Sequence, residues 1–250
     1  MAIKIAVGFQ KGGVAKSTTT VTLATILSAS GYNVLVVDLD TQGNTTKMLT
    51  LESIYANSGK TVMEGIREGN LVKYIRHGQV DLLPAEDELS QFSKHIYRSG
   101  TTEPAHVLRK EIEKLERQTD YDIILFDLPP ALGDITANAI VAADYVLIPV
   151  HLDGVAEETL ERFIHFINGE AKILGILFTI KDNRAAMEKD IGKRIRKAYG
   201  ELVFSAEIRK LAAVGEITAE GVQFNRKRGR DALRDYLSIA KEVVERVKEQ

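Results

Sequence analysis

The chain has 250 residues, a formal net charge of −2 and no cysteine. The absence of cysteine excludes disulfides, thiolate metal sites and iron–sulfur clusters within this sequence. The length suits one large α/β domain, so we predict a single domain over residues 1–250.

The overall charge and hydropathy further limit which class of protein this chain can belong to. A net charge near zero, taken alone, argues against a dedicated nucleic-acid binder. The first apolar run begins at Ile3, which leads us to expect no targeting segment before it. No apolar run approaches the roughly 18 residues that a transmembrane helix needs. We therefore expect an intracellular protein that does not span a membrane.

Six short apolar runs alternate with helical stretches along the chain. The runs do not alternate polar with apolar residues, which is typical of strands covered on both faces in a parallel sheet. This pattern predicts an α/β fold with a single doubly wound, mainly parallel sheet and helices on both faces. Ligands of such folds bind at the carboxyl ends of the strands. The predicted strands are 3–8, 34–37, 80–83, 123–126, 145–150 and 173–178, and the predicted helices include 17–30, 104–117, 156–167, 186–199 and 231–250.

The first predicted strand leads into a glycine loop, Gln-Lys-Gly-Gly-Val-Ala-Lys-Ser-Thr-Thr, from Gln10 to Thr19. A strand, a glycine loop and a helix start form a phosphate cradle, because loop N–H groups and the helix N-terminus attract phosphate oxygens. The order x-K-G-G-x-x-K-[ST] is a P-loop variant with an additional lysine, Lys11. We predict that Lys16 bridges the terminal phosphates of a nucleoside triphosphate and that Ser17 places its hydroxyl on Mg²⁺. The nucleotide contacts predicted in this loop are Lys11, Gly12, Gly13, Val14, Ala15, Lys16, Ser17 and Thr18.

Aspartates follow two of the later strands. Asp38 and Asp40 stand where the second strand runs out into a loop, and Asp127 ends the fourth strand in the sequence Asp-Leu-Pro-Pro. A carboxylate close to an apolar sheet is stable only with a positive charge nearby, and a magnesium ion supplies that charge. We assign Asp127 to the Walker B role beside Mg²⁺, Asp38 to a magnesium-bound water, and Asp40 to the orientation or deprotonation of the attacking water. The predicted metal set is Ser17, Asp38 and Asp127, and the predicted catalytic set includes Lys16 and Asp40.

Together the two-lysine loop, the Asp-Leu-Asp-Thr-Gln-Gly-Asn motif and Asp-Leu-Pro-Pro resemble the ParA/Soj DNA-segregation ATPases, deviant Walker A proteins related to MinD. Segments 80–85, 142–150 and 179–184 also occur in the family's order, so the resemblance covers nearly the whole chain. With no helix-turn-helix domain before Ile3, the chain resembles the small ParA type. The resemblance implies an ATP- and Mg²⁺-dependent homodimer in which Lys11 reaches the partner's phosphates, which adds Lys11 to the predicted catalytic set. It also implies sequence-independent DNA binding, and hydrolysis stimulated by a ParB-like centromere-binding protein, in the cytoplasm and on the nucleoid, without a membrane.

The resemblance also implies residue roles in the last third of the chain. Adenine contacts are expected at Asp182, Arg209 and Lys210, although the family's Pro-Arg-Asn is replaced by Arg-Lys-Leu here. Residues 184–230 hold 12 lysines and arginines against 6 aspartates and glutamates, a net charge of +6 that could form a DNA-binding face. A second DNA-contacting arginine of the family falls at Ala213. The predicted DNA contacts are Arg184, Lys210, Arg226, Lys227, Arg228 and Arg230.

Two alternatives remain open from the sequence. Ala15 stands where most relatives have glycine, and its Cβ is harmless at negative φ but obstructive at positive φ. A nucleotide-dependent binding switch with slow turnover is therefore one alternative. The other is a MinD-like membrane-associated positioning ATPase. The terminal helix disfavours it, because four basic residues are set against five acidic ones and an anionic membrane would not be attracted.

Overall fold

A computed structural model describes residues 1–180, 185–209 and 230–249 of the chain. Six strands form one sheet in the order β3-β2-β4-β1-β5-β6, and every pairing between neighbouring strands is parallel. The strands are β1 Ile3–Val7, β2 Val34–Asp38, β3 Asp81–Leu83, β4 Ile123–Asp127, β5 Tyr145–His151 and β6 Lys172–Thr179. The α-helices of the described residues are α1 Lys16–Ala29, α2 Asn44–Thr50, α3 Val62–Glu68, α4 Phe92–Arg98, α5 Val107–Glu116, α6 Asp134–Ala142, α7 Ala156–Ile167, α8 Ala186–Tyr199 and α9 Arg230–Glu249.

The predicted doubly wound sheet is confirmed, and so are all six predicted strands to within two residues at either end. The helix predicted over 104–117 begins instead with a 3₁₀ turn, Pro104–His106, before α5. Helix α1 begins at Lys16 rather than at residue 17. Both differences lie at helix ends, where hydrogen bonds fray and the first turn often changes type.

Side chains of the strands alternate between two apolar layers. In β4, Ile124 and Phe126 pack with helices α3 to α8, whereas Ile123 and Leu125 pack with α1 and α9 on the other face. Covering on both faces explains why the strands read as continuous apolar runs. The polar ends of the strands are therefore the places on the sheet where charged groups gather.

Helix α9 belongs to the core. Tyr236, Ile239, Ala240 and Val243 are buried against α1 and the sheet. Glu242 fixes the helix to the neighbouring chain by accepting hydrogen bonds from the Ser205 backbone N–H (3.0 Å) and hydroxyl (2.6 Å). Within the described residues, no helix is both long and apolar enough to cross a membrane.

Close packing beyond β6 requires a glycine in that strand. The chain after α8 runs alongside β6, and the Phe204 N–H donates to the Ile176 carbonyl (2.9 Å). The Phe204 ring then lies over Gly175, where an added Cβ would stand 2.6 Å from the ring carbon Cδ2 and 2.9 Å from the Leu202 carbonyl oxygen. Both distances are too short for a Cβ, and one of the two neighbours is backbone that cannot rotate away.

We therefore expect Gly175→Ala to destabilise the fold by about 2 kcal/mol, the usual cost of overpacking a core. The matched control is Gly154→Ala, at an exposed turn glycine outside the positive-φ region, where an added Cβ meets nothing within 4 Å. Urea denaturation followed by circular dichroism measures both variants. Equal midpoints for the two variants would contradict this account of the β6 edge.

Candidate nucleotide site

The strand order brings the predicted site residues to one edge of the sheet. Strand β4 lies between β1 and β2, and the register aligns Val7, Asp127 and Asp38 across the three strands. The glycine loop leaves the carboxyl end of β1 immediately beside the two aspartates. The loop and the carboxylates, far apart in sequence, are therefore neighbours in the fold.

Internal hydrogen bonds hold the glycine loop in shape. The Lys16 ammonium donates to the Lys11 carbonyl (2.8 Å), and the Thr179 hydroxyl at the end of β6 donates to the Val14 carbonyl (3.0 Å). Helix α1 begins at Lys16 without a side-chain cap, and its first backbone bond runs from the Thr19 N–H to the Ala15 carbonyl (2.8 Å). The N–H groups at the helix start have no side-chain acceptor, which leaves them suited to an anion.

The two glycines of the loop leave open space. Both Gly12 and Gly13 are exposed, and a Cβ added to either would meet nothing within 4 Å. Gly13 also has a φ of +72°, a conformation that other residues rarely adopt. The backbone can thus approach a phosphate closely at these positions.

Ala15 adopts the conformation that the sequence left undecided. Its φ is +62° and its ψ is +30°, in the left-handed region where a Cβ is unfavourable. Alanine tolerates this region at a cost of about 1–2 kcal/mol. The alanine at this position therefore stores strain in the loop, and the effect of this strain on turnover remains a prediction.

A β-branched residue at position 15 would raise this strain. We expect Ala15→Val to weaken nucleotide affinity about tenfold, because the loop would relax out of the left-handed conformation. Ala15→Gly should retain or improve affinity, since glycine adopts positive φ without strain. Titration with a fluorescent ATP analogue measures both variants, and tighter binding by the valine variant would refute the assigned conformation.

Asp38 and Asp127 are fully buried side by side. Burial, together with the neighbouring charge of Asp127, raises the pKa of Asp38 to about 7, although hydrogen bonds from Thr46 and the Asp40 N–H oppose this shift. Burial also raises the pKa of Asp127 to about 6, opposed by hydrogen bonds from Ser17 and Thr45 and by the charge of Lys16. Two adjacent buried carboxylates need positive charge nearby.

Threonines at the start of α2, after the Asp-Leu-Asp motif, donate hydrogen bonds to these carboxylates. The Thr46 hydroxyl (2.7 Å) and N–H (2.8 Å) both donate to Asp38, and the Thr45 hydroxyl donates to Asp127 (2.7 Å). The Thr20 hydroxyl of α1 approaches Asp127 from the other side (3.3 Å). The start of α2 is therefore anchored directly on the predicted metal site.

Lys16 and Asp40 complete the group. Lys16 is buried, and burial lowers the pKa of its ammonium group. The charges of Asp127 and Asp40 oppose this shift without cancelling it. Asp40 lies beyond the end of β2, where its carboxylate accepts a hydrogen bond from the Gln42 N–H (3.0 Å). The structure thus brings Lys16, Ser17, Asp40 and Asp127 together, as the sequence motifs predict.

Lys11 has a partner that the motifs do not reveal. Its ammonium forms an ion pair with Asp153, which follows β5 at the same edge of the sheet. The other oxygen of Asp153 accepts a bond from the Val155 N–H (3.3 Å) at the start of α7. Asp153 could have been found by the rule that identified Asp38 and Asp127, because it too is an aspartate at the carboxyl end of a strand.

The residues of the edge fit a magnesium ion with a bound nucleotide. Mg²⁺ prefers oxygen ligands and is usually held by one or two carboxylates together with substrate phosphates and water. Ser17 and Asp127 offer a hydroxyl and a buried carboxylate beside an open glycine loop, and Asp38 lies next to them. The described residues contain no cluster of three or more His, Cys, Asp or Glu side chains that could hold a metal alone. A metal here would share its coordination with phosphate.

Arg209 is the remaining predicted residue whose side chain the structure describes. Arg209 is bound through its guanidinium to Asp235 of α9 (2.8 Å) and stands one residue after Ile208, whose N–H bonds the end of β6 (2.9 Å). Its adenine contact stays a prediction. The predicted residues whose side chains lie outside the described part of the chain are Asp182, Arg184, Lys210, Arg226, Lys227, Arg228 and Arg230.

Comparison with known proteins identifies the family. The AAA domain family AAA_31 matches residues 2–175. The chain is 33% identical to the chromosome-partitioning ATPase Soj of Thermus thermophilus, over 98% of this chain and 97% of that protein. It is 30% identical to the chromosome partitioning protein ParA of Caulobacter vibrioides, over 98% and 95%.

A solved structure shares the fold of this chain. Cobyrinic acid a,c-diamide synthase from Mycobacterium smegmatis, with bound ADP and magnesium, aligns with a TM-score of 0.80 and 27% identity over 99% of this chain and 96% of that one. The parallel sheet and the two-lysine loop define a P-loop nucleotide-binding protein of the deviant Walker A class. Within that class, the chain belongs to the ParA/Soj family of ATPases.

Proposed function

We propose that this protein is a partition ATPase that binds and hydrolyses ATP with Mg²⁺ to position DNA. The observation that carries the proposal is the meeting of the two-lysine loop with Asp40 and Asp127 at one sheet edge, in a chain of the ParA/Soj family. Chromosome and plasmid cargoes are both compatible with these residues.

In this proposal each side chain has one task. The N–H groups at the start of α1 and the Lys16 ammonium bind the phosphates, so Lys16 exchanges its bond to the Lys11 carbonyl for a bond to the nucleotide. Ser17, Asp127 and Asp38 would hold Mg²⁺ and its water, and the ion would supply positive charge to the phosphate oxygens. Asp40 orients the attacking water.

Lys11 acts in a second protomer. Two chains face each other across their nucleotides as a homodimer, and Lys11 leaves Asp153 to contact the partner's phosphates. There its charge complements the charge that develops as the γ-phosphoryl group departs. The ATP-bound dimer binds DNA through backbone phosphates without regard to sequence. A ParB-like partner stimulates hydrolysis and releases the dimer, in the cytoplasm and on the nucleoid.

ATP-dependent DNA association tests the proposal. Purified protein is incubated with random-sequence duplex DNA and either ATP, ADP or no nucleotide, and binding is followed by gel shift. We expect a shift with ATP and a far weaker one in the other two samples. Binding of equal strength in all three would remove nucleotide control and contradict the proposed cycle.

The buried terminal helix bears on the MinD-like alternative. The apolar side of α9 packs on α1 and the sheet and is therefore occupied. Co-sedimentation with anionic liposomes in the presence of ATP separates the alternatives. ATP-dependent pelleting with liposomes, together with no ATP-dependent DNA shift, would favour the membrane-associated function.

A further inference from the structure

The end of β6 is hydrogen-bonded to the glycine loop. The Thr179 side chain is fully buried, and its hydroxyl donates to the Val14 carbonyl (3.0 Å), 165 positions away in sequence. Val14 is buried as well, and no other donor of the described ranges forms a hydrogen bond with its carbonyl. The orientation of this carbonyl therefore depends on the Thr179 hydroxyl.

The direction of the Val14 carbonyl sets the direction of the N–H group that follows it. In a planar trans peptide the C=O and N–H bonds point in opposite directions. Because the Val14 carbonyl faces the buried end of β6, the Ala15 N–H faces the open side of the loop, where Gly12 and Gly13 are exposed. Among the described residues this N–H has no acceptor. It is therefore available to a phosphate oxygen.

The same peptide orientation keeps Ala15 in its strained conformation. Rotation of the Val14–Ala15 peptide would change the ψ of Val14 and the φ of Ala15 together, and would bring this φ from +62° into the negative region that alanine prefers. Ile180, which follows Thr179, also has a positive φ of +54°, which is rare for a β-branched residue. Strained residues persist where the surrounding contacts hold them, and the Thr179–Val14 hydrogen bond is such a contact.

We propose that Thr179 is a positioning residue of the nucleotide site, whose hydroxyl prevents the Val14–Ala15 peptide from rotating and so directs the Ala15 N–H to the phosphates. The inference rests on the proposed function, in that the glycine loop must bind the phosphates of ATP. Without the hydroxyl, the buried Val14 carbonyl would have no donor, which is unfavourable. Rotation of the peptide would solvate this carbonyl and relieve the strain at Ala15. It would also present an oxygen to the phosphates in place of an N–H group.

The backbone of Thr179 is fixed well enough for this role. Thr179 is the last residue of β6, where it pairs with His151 of β5. The carbonyl of the preceding residue, Phe178, accepts a hydrogen bond from the Ile208 N–H (2.9 Å) on the other side of the strand. The glycine loop, by contrast, is exposed on one side. The sheet therefore holds the hydroxyl in place, and the loop is the part that would move if the bond were lost.

The test compares ATP affinities in a double-mutant cycle. Thr179→Val removes the hydroxyl and keeps the shape of the side chain, whereas Thr179→Ser keeps the hydroxyl. Each is made alone and together with Ala15→Gly, because glycine adopts positive and negative φ about equally well. Titration with a fluorescent ATP analogue gives the affinities, and thermal melting checks that each variant is folded.

The matched control is Thr25→Val. The Thr25 hydroxyl is also buried, and it donates to the Val21 carbonyl within α1 (2.8 Å). It lies about two and a half turns from the start of that helix, so its removal leaves the loop unchanged. The control measures what the loss of a buried hydroxyl does to the protein apart from any effect on the Val14–Ala15 peptide.

We expect Thr179→Val to weaken ATP affinity about tenfold, which is the usual scale for a buried acceptor that loses its donor. Thr179→Ser and Thr25→Val should stay within about twofold of wild type, because both keep the bond to Val14. In the Ala15→Gly background the loss caused by Thr179→Val should fall to about threefold or less, because strain at position 15 no longer favours the rotated peptide. Thr179→Ala also removes the hydroxyl and repeats the comparison if the valine variant does not fold.

Two results would overturn the inference and leave the proposed function intact. Wild-type affinity in Thr179→Val would show that the hydroxyl does not position the loop. An equal loss of affinity with Ala15 and with glycine at position 15 would show that the hydroxyl acts independently of the strained conformation. A wild-type protein that binds no ATP analogue would instead contradict the proposed function itself.

Discussion

Replacing Lys16 with alanine should remove most of the protein's affinity for ATP. The Lys16 ammonium is buried beside Asp127 and Asp40 at the start of α1, within the loop that is predicted to bind the phosphates. Truncating one partner of a buried charged contact costs about 2–5 kcal/mol, which corresponds to a loss in affinity of about thirtyfold to several thousandfold. Titration with a fluorescent ATP analogue measures the loss. Lys16→Gln, closer in volume, checks that the loss follows the charge and not collapse of the loop.

The contrast with Lys11 sharpens this prediction. Lys11 is partly exposed and paired with Asp153, so its removal leaves the loop and its phosphate contacts in place. Lys11→Ala should therefore bind ATP as a monomer, yet lose hydrolysis and form a weaker dimer. Equal losses of nucleotide affinity in both lysine variants would contradict the assignment of Lys16 to nucleotide binding and of Lys11 to the partner's site.

Replacing Asp40 with alanine should trap the ATP-bound dimer. Asp40 stands beyond the end of β2, near Lys16, while the phosphate contacts come from the loop and α1. Loss of a general base or water-orienting group lowers a hydrolysis rate by about 10²–10⁴-fold, and nucleotide binding does not depend on it. Light scattering after addition of ATP should show a dimer that persists.

The control for this variant is Asp120→Ala, an exposed aspartate that precedes β4 at the opposite end of the sheet. It should hydrolyse ATP at the wild-type rate and return to monomers as ATP is consumed. Wild-type hydrolysis by Asp40→Ala would remove Asp40 from the catalytic set.

Much of the site can be predicted from the sequence because its residues belong to short motifs whose members are close together in the chain. A buried strand, a glycine loop and a helix start must follow one another directly in the chain, so Lys16 and Ser17 can be identified from their motif. Asp127 is likewise marked by the strand that it ends. The rule that carboxyl ends of parallel strands meet at one edge then brings these residues together.

Other features depend on the order of the strands or on conformation. The pairing of Asp38 with Asp127 requires β4 to lie beside β2, although about ninety residues separate them in sequence. The Lys11–Asp153 pair depends in the same way on β5 lying beside β1. The positive φ of Ala15 runs against the preference of an alanine, so the sequence alone could state only the two possibilities.

The most direct test of the account mixes two inactive variants. Lys11→Ala protomers keep Asp40, and Asp40→Ala protomers keep Lys11, so a mixed dimer contains one site with its own Asp40 and the partner's Lys11. With random pairing, half of the dimers in an equal mixture contain one protomer of each variant, and each of these has one complete site out of two. ATP hydrolysis by the mixture should therefore recover up to about a quarter of the wild-type rate. A mixture no more active than its two components would contradict an ATPase site completed by the lysine of a second protomer.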